Sequence, residues 1–312
     1  MRILFYGPNS KPSTWEKALR AALPQADVRV WQEGDDGAAD YAVVWRPPAS
    51  VLSPHGLVRA DLKAVFNIGA GVDGILQLGA ALPDLPIIRL DDAGMGVQMA
   101  EYVTHSVMRY FRRFDQYDLQ QRAHQWRFLE PHDKATFSVG ILGMGLLGQH
   151  VAAMLAPLGF PLRGWSRSSK ELSGVTCFSG QSGLDEFLRG TRVLVCMLPL
   201  TTETTGILNR DTLGKLPNGA YLINVARGSH LLDADLLKLV QDGHLAAATL
   251  DVFHDEPLPP QHRFWHEPRI TITPHMAAVT LIEPSAHLIA EKIHALQRGE
   301  TVTGIVDRTK GY

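Results

Sequence analysis

Gly143-Met144-Gly145-Leu146-Leu147-Gly148 has the spacing GxGxxG, directly after the apolar run 139–142 and at the start of a helical pattern over 146–158. That order can do one piece of chemistry well. The first glycine allows a tight turn, the second lets a pyrophosphate approach the backbone, and the third lets helix and strand pack closely. The helix start then offers unpaired N–H groups and a partial positive charge to the phosphates. About twenty residues on, where an acid would accept hydrogen bonds from an NAD ribose, the chain reads Trp165-Ser166-Arg167-Ser168-Ser169. A guanidinium between two hydroxyls suits a 2′-phosphate instead, so Ser166, Arg167 and Ser168 predict NADPH (NADP) as cofactor, with NADH weaker.

Three further segments place polar residues just after apolar runs, where an open α/β sheet has its ligand crevice. They are Asn224-Val225-Ala226-Arg227-Gly228, Asp251-Val252-Phe253-His254-Asp255-Glu256-Pro257 and Thr273-Pro274-His275-Met276-Ala277. A fourth, Asn67-Ile68-Gly69-Ala70-Gly71-Val72-Asp73, carries glycines that let successive N–H groups converge on an anion without side-chain obstruction.

Two series of alternating strands and helices position these segments. Runs 2–6, 28–31, 41–45, 64–67 and 87–90 read as strands, with a helix over 15–23 that Ser13 or Thr14 could cap. From Gln98, the residues Met99, Tyr102, Val103, Ser106, Val107, Tyr110, Phe111 and Phe114 recur at helical spacing, predicting one long helix that bridges two domains. Runs 138–142, 162–166, 193–198, 221–225, 247–250 and 270–272 predict six more strands, and 285–297 a last helix. The reading is α/β: two doubly wound domains, a Rossmann dinucleotide-binding domain over 101–279 and a flavodoxin-like substrate domain from 1–100 plus 280–312.

With 312 residues, 45% hydrophobic and 20% charged, the composition is that of a globular chain and excludes a disordered or fibrous one. A net charge of −2 without a basic stripe speaks against nucleic acid as a partner. Cys177 and Cys196 lack metal-ligand spacing, so no metal is expected and a reducing compartment is. No run reaches a membrane span and the N-terminal apolar run is too short for a signal peptide, which predicts a cytoplasmic chain with no membrane partner.

Taken together, the fingerprint and the Arg227, Glu256, His275 order resemble the D-isomer-specific 2-hydroxyacid dehydrogenase family over essentially the whole chain. They are most similar to its glyoxylate/hydroxypyruvate reductase A branch, down to the ending Val306-Asp307-Arg308 to Gly311-Tyr312. The resemblance implies NADPH-dependent reduction of glyoxylate to glycolate and of hydroxypyruvate to glycerate. It makes Arg227, Glu256 and His275 the catalytic set, with domain closure over the cofactor and a homodimer. The residue types fit: a histidine can protonate the carbonyl oxygen near neutral pH, a carboxylate fixes the ring, and an arginine grips the substrate carboxylate and polarises the carbonyl.

By the same resemblance Gly69, Ala70 and Gly71 join Arg227 in binding substrate. Leu198, Pro199 and Thr204 border the adenosine and pyrophosphate, Val225 and Ala226 line the cofactor, and Asp251 meets the nicotinamide carboxamide. Trp45 reads as a core residue more than as a pocket wall. Two other readings stay open: an NAD-dependent D-2-hydroxyacid (D-lactate-type) dehydrogenase, and a dinucleotide-sensing binding protein on the same fold.

Overall fold

The computed structural model describes residues 1–8, 10–52 and 61–312. The chain forms two compact units, Met1–Gly94 with Thr280–Tyr312, and Met95–Val279.

The first unit is built on five parallel strands: β1 (Arg2–Tyr6), β2 (Asp27–Val30), β3 (Tyr41–Val44), β4 (Ala64–Asn67) and β5 (Ile87–Arg89), in the order β2-β1-β3-β4-β5. This 2-1-3-4-5 order is the flavodoxin-like one. β3 and β4 are buried at every position, as parallel strands covered on both faces must be. The helix Pro12–Ala22 packs beside the C-terminal helix Ile282–Gln297. Its cap is Lys11, at φ 55°, and Pro12 opens the helix, so Ser13 and Thr14 lie inside the first turn rather than capping it. Proline, with φ preset and no N–H to lose, is the stronger start signal. The C-terminal helix is tied to the sheet by buried Lys292, whose Nζ lies 2.7 Å from Asp91 Oδ2 and donates to the Thr303 carbonyl at 2.7 Å.

The second unit has seven parallel strands: β6 (Val139–Leu142), β7 (Leu162–Ser166), β8 (Val175–Ser179), β9 (Val193–Cys196), β10 (Ala220–Asn224), β11 (Leu245–Leu250) and β12 (Ile270–Ile272). Their order is β12-β11-β10-β9-β6-β7-β8, the Rossmann arrangement extended by one strand. The apolar runs predict six strands here; β8 is the seventh. It is an edge strand with no buried residue, so it lacks the apolar run that announces the others. The helical pattern from Gln98 is two helices, Met95–Phe111 and Phe114–Arg122, because Arg113 adopts φ 58° and breaks the ladder. The first turn of Met95–Phe111 is continuous with the rest of that helix, and the whole helix belongs to the second unit. Its buried face, Met99, Ala100, Val103, Val107 and Tyr110, shares a core with Val139, Ile141, Val193, Val195 and Ile223 of the central strands.

Candidate active site

All the candidate residues of the second unit gather at the carboxyl ends of its strands. Gly143 follows β6, Ser166 ends β7, Leu198 follows β9, Val225 follows β10, Asp251 follows β11 and Thr273 follows β12.

At the switch point between β6 and β9 each glycine of the fingerprint has a distinct physical reason. Gly143 takes φ +117°, and a Cβ there would sit 2.7 Å from the Met197 carbonyl oxygen. A Cβ on Gly148 would lie 2.2 Å from the Gly143 carbonyl oxygen, so helix Leu146–Leu155 can close on the strand only at a glycine. Gly145 caps that helix and faces open space, which is room for a phosphate beside the helix start. Met144 turns inward and packs on Gly164 of β7, so only its backbone is available to a ligand; Leu146 is exposed and Leu147 half-buried. Gly143 donates its N–H to the Trp165 carbonyl at 2.9 Å, which sets Ser166, Arg167 and Ser168 beside the glycine turn. The Ser166 hydroxyl donates to the Ser168 carbonyl at 2.8 Å, curling this strand end, and Arg167 is exposed on it. These features fit a dinucleotide carrying a 2′-phosphate: open space at the helix start, a guanidinium at the ribose position, and no acid among residues 165–169.

After β9, Leu198 is buried, while the Thr204 hydroxyl donates to the Pro199 carbonyl at 2.7 Å and receives the Thr201 N–H at 2.8 Å. The 199–204 turn is thus closed on itself. Cys196, at the strand end, is a buried free thiol pushed up to about 12 by burial, with no role as a nucleophile.

After β10, the buried side chain of Asn224 shapes the arginine loop from within. Its amide donates to the Arg227 carbonyl at 3.1 Å, and its carbonyl accepts the Ala226 N–H at 3.2 Å. Buried His230 accepts the Arg227 N–H through Nδ1 at 3.2 Å, and its Nε2 donates to the Pro199 carbonyl. Val225 and Ala226 are buried and Arg227 is half-exposed. Gly228 lies against the backbone of Phe253, where a Cβ would be 1.9 Å from the Phe253 carbonyl carbon. The arginine loop and the 251–256 loop therefore fit together only with glycine at 228.

His275 and Glu256 meet directly. His275 Nδ1 is 2.7 Å from Glu256 Oε2, and Glu256 Oε1 accepts the Phe253 N–H at 3.0 Å. A carboxylate has no proton to give, so Nδ1 donates and the ring is held in one orientation. His275 sits at φ 52°, in the left-handed region that a non-glycine residue rarely occupies. Asp251, 1% exposed, holds that turn: Oδ1 accepts the Thr273 hydroxyl at 2.6 Å and the Met276 N–H at 2.9 Å, and Oδ2 accepts the Ala277 N–H at 2.8 Å. Its own carbonyl accepts the His275 N–H at 2.9 Å. Asp251, expected at the nicotinamide, thus has three donors from the histidine turn.

In the first unit, the loop after β4 has its carbonyl side occupied. The buried Asn67 amide donates to the carbonyls of Gly69 at 2.8 Å and Gly71 at 3.0 Å, and the Thr280 hydroxyl donates to that of Ile68 at 2.9 Å. What Gly69, Ala70 and Gly71 can offer an anion is their N–H side. Trp45 is not a core residue: it is half-buried, with its indole lying on Gly69, where a Cβ would be 2.4 Å from the ring. The supporting residue that sequence reasoning missed is His230, while Asn67, Asn224 and Thr273 stand in the segments singled out above without the supporting roles seen here. Buried asparagines at strand ends were the available signal.

A Rossmann sheet that carries its fingerprint, a hydrogen-bonded His–Glu pair and an arginine at one edge defines a dinucleotide-dependent oxidoreductase. Residues 104–277 match the family model for the D-isomer specific 2-hydroxyacid dehydrogenase, NAD binding domain. The chain is 50% identical to glyoxylate/hydroxypyruvate reductase A of Serratia proteamaculans, over all of both chains. Among solved structures, it superposes on a D-isomer specific 2-hydroxyacid dehydrogenase from Xanthobacter autotrophicus Py2, in complex with NADPH and MES, with TM-score 0.94 at 40% identity, covering 100% of this chain and 99% of that one. An NADPH-dependent glyoxylate/hydroxypyruvate reductase from Sinorhizobium meliloti, in complex with NADP and sulfate, matches with TM-score 0.92 at 36% identity over 100% of both chains. The chain belongs to the D-isomer-specific 2-hydroxyacid dehydrogenase family.

Proposed function

We propose that this chain is an NADPH-dependent reductase of small 2-oxo acids, converting glyoxylate to glycolate and hydroxypyruvate to glycerate. The observation that carries the reading is the 2.7 Å contact between His275 and Glu256 at the edge of a sheet whose ribose position holds Arg167 in place of an acid. The Serratia and Sinorhizobium relatives, named for this activity, support it across the full chain.

Gly143, Gly145 and Gly148 admit the pyrophosphate at the start of helix Leu146–Leu155, and Ser166, Arg167 and Ser168 receive the 2′-phosphate. NADPH, when bound, supplies the hydride that reduces the carbonyl carbon. Arg227 grips the substrate carboxylate and polarises the carbonyl as charge develops on its oxygen. Gly69, Ala70 and Gly71 form the first unit's substrate-binding loop, their N–H groups suited to a carboxylate. His275, held through Nδ1 by Glu256, delivers a proton from Nε2 to the carbonyl oxygen. Residues 95–279 form the NADP-binding domain and the remainder the substrate domain. Asp251 serves by fixing the turn that carries His275.

We further propose a homodimer acting in the cytoplasm, a setting in keeping with two free thiols. Among the described residues, no helix is long and apolar enough to cross a membrane. Initial rates with NADPH and NADH against glyoxylate, hydroxypyruvate and pyruvate test the activity. Fast turnover of the first two oxo acids with NADPH is the expected result. Tight NADPH binding without any turnover would instead favour a dinucleotide sensor.

A further inference from the structure

The His275 turn has a second support besides Asp251. The helix Met95–Phe111 reaches it at both ends. Tyr102 OH lies 2.6 Å from Thr273 Oγ1, and Thr273 Oγ1 lies 2.6 Å from Asp251 Oδ1. Threonine has one hydroxyl proton and the carboxylate can only accept, so the chain runs Tyr102 to Thr273 to Asp251. At the other end, the Gln98 amide donates to the Val279 carbonyl at 3.0 Å, and its oxygen accepts the Val279 N–H at 3.2 Å. Gln98 and Tyr102 are four residues apart, one turn, on one helix face. That helix cannot shift easily, because Met99, Ala100, Val103 and Val107 are sunk in the core.

We propose that Gln98 and Tyr102 are positioning residues for His275: they clasp the two ends of the 273–279 segment and so hold its strained turn in register with Glu256. Strain of this kind, at a residue in a sparsely populated backbone region, persists only where the surroundings over-determine it. Asp251 reaches Thr273, His275, Met276 and Ala277, and its hydrogen bonds do not extend to Val279. Releasing either end lets His275 relax, and a displacement of about 1 Å at a reacting group costs up to a hundredfold in rate. Burial pushes the Tyr102 phenol up to about 12, so its donor persists across the working pH range.

The proposal rests on the reading of His275 as proton donor, so its test includes that residue. Tyr102→Phe, Thr273→Val and Gln98→Met each remove hydrogen bonds while keeping volume. For each, kcat with glyoxylate is expected to fall about tenfold while KM for NADPH stays within twofold. Thr273→Ser, which keeps the hydroxyl, restores kcat to within about threefold of the parent. Three variants on separate residues keep the test valid if one folds poorly. If His275→Ala loses turnover while Tyr102→Phe and Gln98→Met keep theirs within twofold, with only a lower melting temperature, the helix merely stabilises the fold and the proposal fails. If His275→Ala turns over normally, the proton-donor reading fails and the clasp falls with it.

Discussion

Asn67 and Asn224 are the last residues of β4 and β10, one in each unit, both buried, and each organises the loop after its strand. They do it differently. Asn67 uses only its donors, turning the carbonyls of Gly69 and Gly71 toward itself and leaving an N–H surface. Asn224 uses donor and acceptor, closing the backbone of residues 226–227 into a fixed turn that aims an arginine. The same residue at the same place in a parallel strand holds loop carbonyls in one unit and the backbone beneath an arginine in the other. In the proposed function the first is an anion cradle and the second a side-chain mount. The difference lies in the next few residues of each loop: two glycines can present backbone, whereas Val225-Ala226-Arg227 must present a side chain. On the proposed reading, the first unit offers backbone N–H groups to an anion and the second offers side chains for the chemistry.

The sharpest way to break this division is His275→Ala. If proton delivery belongs to the second unit, turnover falls about a thousandfold while KM for NADPH changes little. Steady-state rates at saturating NADPH check it, and near-normal turnover would remove His275 from the mechanism. The asparagines give the next largest effects. Asn67→Asp cannot donate to Gly69 or Gly71 and places a negative charge under an anion loop, so KM for glyoxylate is expected to rise about ten- to a hundredfold with kcat preserved. Asn224→Asp keeps the acceptor but loses the donor to Arg227, and should lower kcat and raise KM for glyoxylate together. Identical kinetic signatures for the two variants would erase the distinction between cradle and mount.

Much of this layout is legible in the sequence because it is backbone chemistry. Glycines needed at positive φ or at close approach are visible as glycines, and β1, β4, β7 and β12 carry runs apolar enough to mark their limits. Side-chain supports are not legible in the same way. Tyr102 counts toward the apolar face of its helix, yet its hydroxyl faces Thr273, a contact across 171 positions that spacing cannot reveal. The break at Arg113 is hidden for a related reason: Phe111 and Phe114 keep the helical period although Phe114 is exposed. Trp45 reads as core because it is large and apolar, and only the absent side chain at Gly69 makes room for it near the surface.

The cofactor side of the comparison is tested at Arg167. Nothing in the first unit is expected to discriminate the two dinucleotides, so Arg167→Ala should raise KM for NADPH roughly ten- to thirtyfold and leave that for NADH nearly unchanged, the size of a lost charge-assisted contact of about 1.5–2 kcal/mol. Initial rates with each cofactor at saturating glyoxylate measure both. Equal shifts would mean that Arg167 supports the strand end rather than reading the phosphate.

The smallest expected effects concern stability, and here too the units contrast. Burial alone would raise the Asp91 carboxyl in the first unit. The Lys292 ammonium and the Thr303 hydroxyl outweigh it and hold the group below the usual carboxylate range. Asp115, in the second unit, is raised by burial to about 6, because the Gln116 N–H and the nearby Arg109 and Arg113 do not offset desolvation. The two pH dependences have opposite signs. A depressed carboxyl contributes stability that is present above its unfolded pKa of about 3.9 and lost as pH falls through its lower folded value. A raised one takes up a proton on folding between about 4 and 6, so the fold weakens as pH climbs through that window. At pH 7.5, Asp91→Asn should therefore lower the urea midpoint by about 2 kcal/mol equivalent, since it leaves the Lys292 charge buried without its partner. Asp115→Asn should raise the midpoint by about 1 kcal/mol equivalent, and that gain should vanish near pH 4, where the native carboxyl is already protonated. Urea titrations of both variants at pH 4 and 7.5 separate the cases. A loss for Asp115→Asn at pH 7.5 would mean that the arginines, not desolvation, govern this carboxyl.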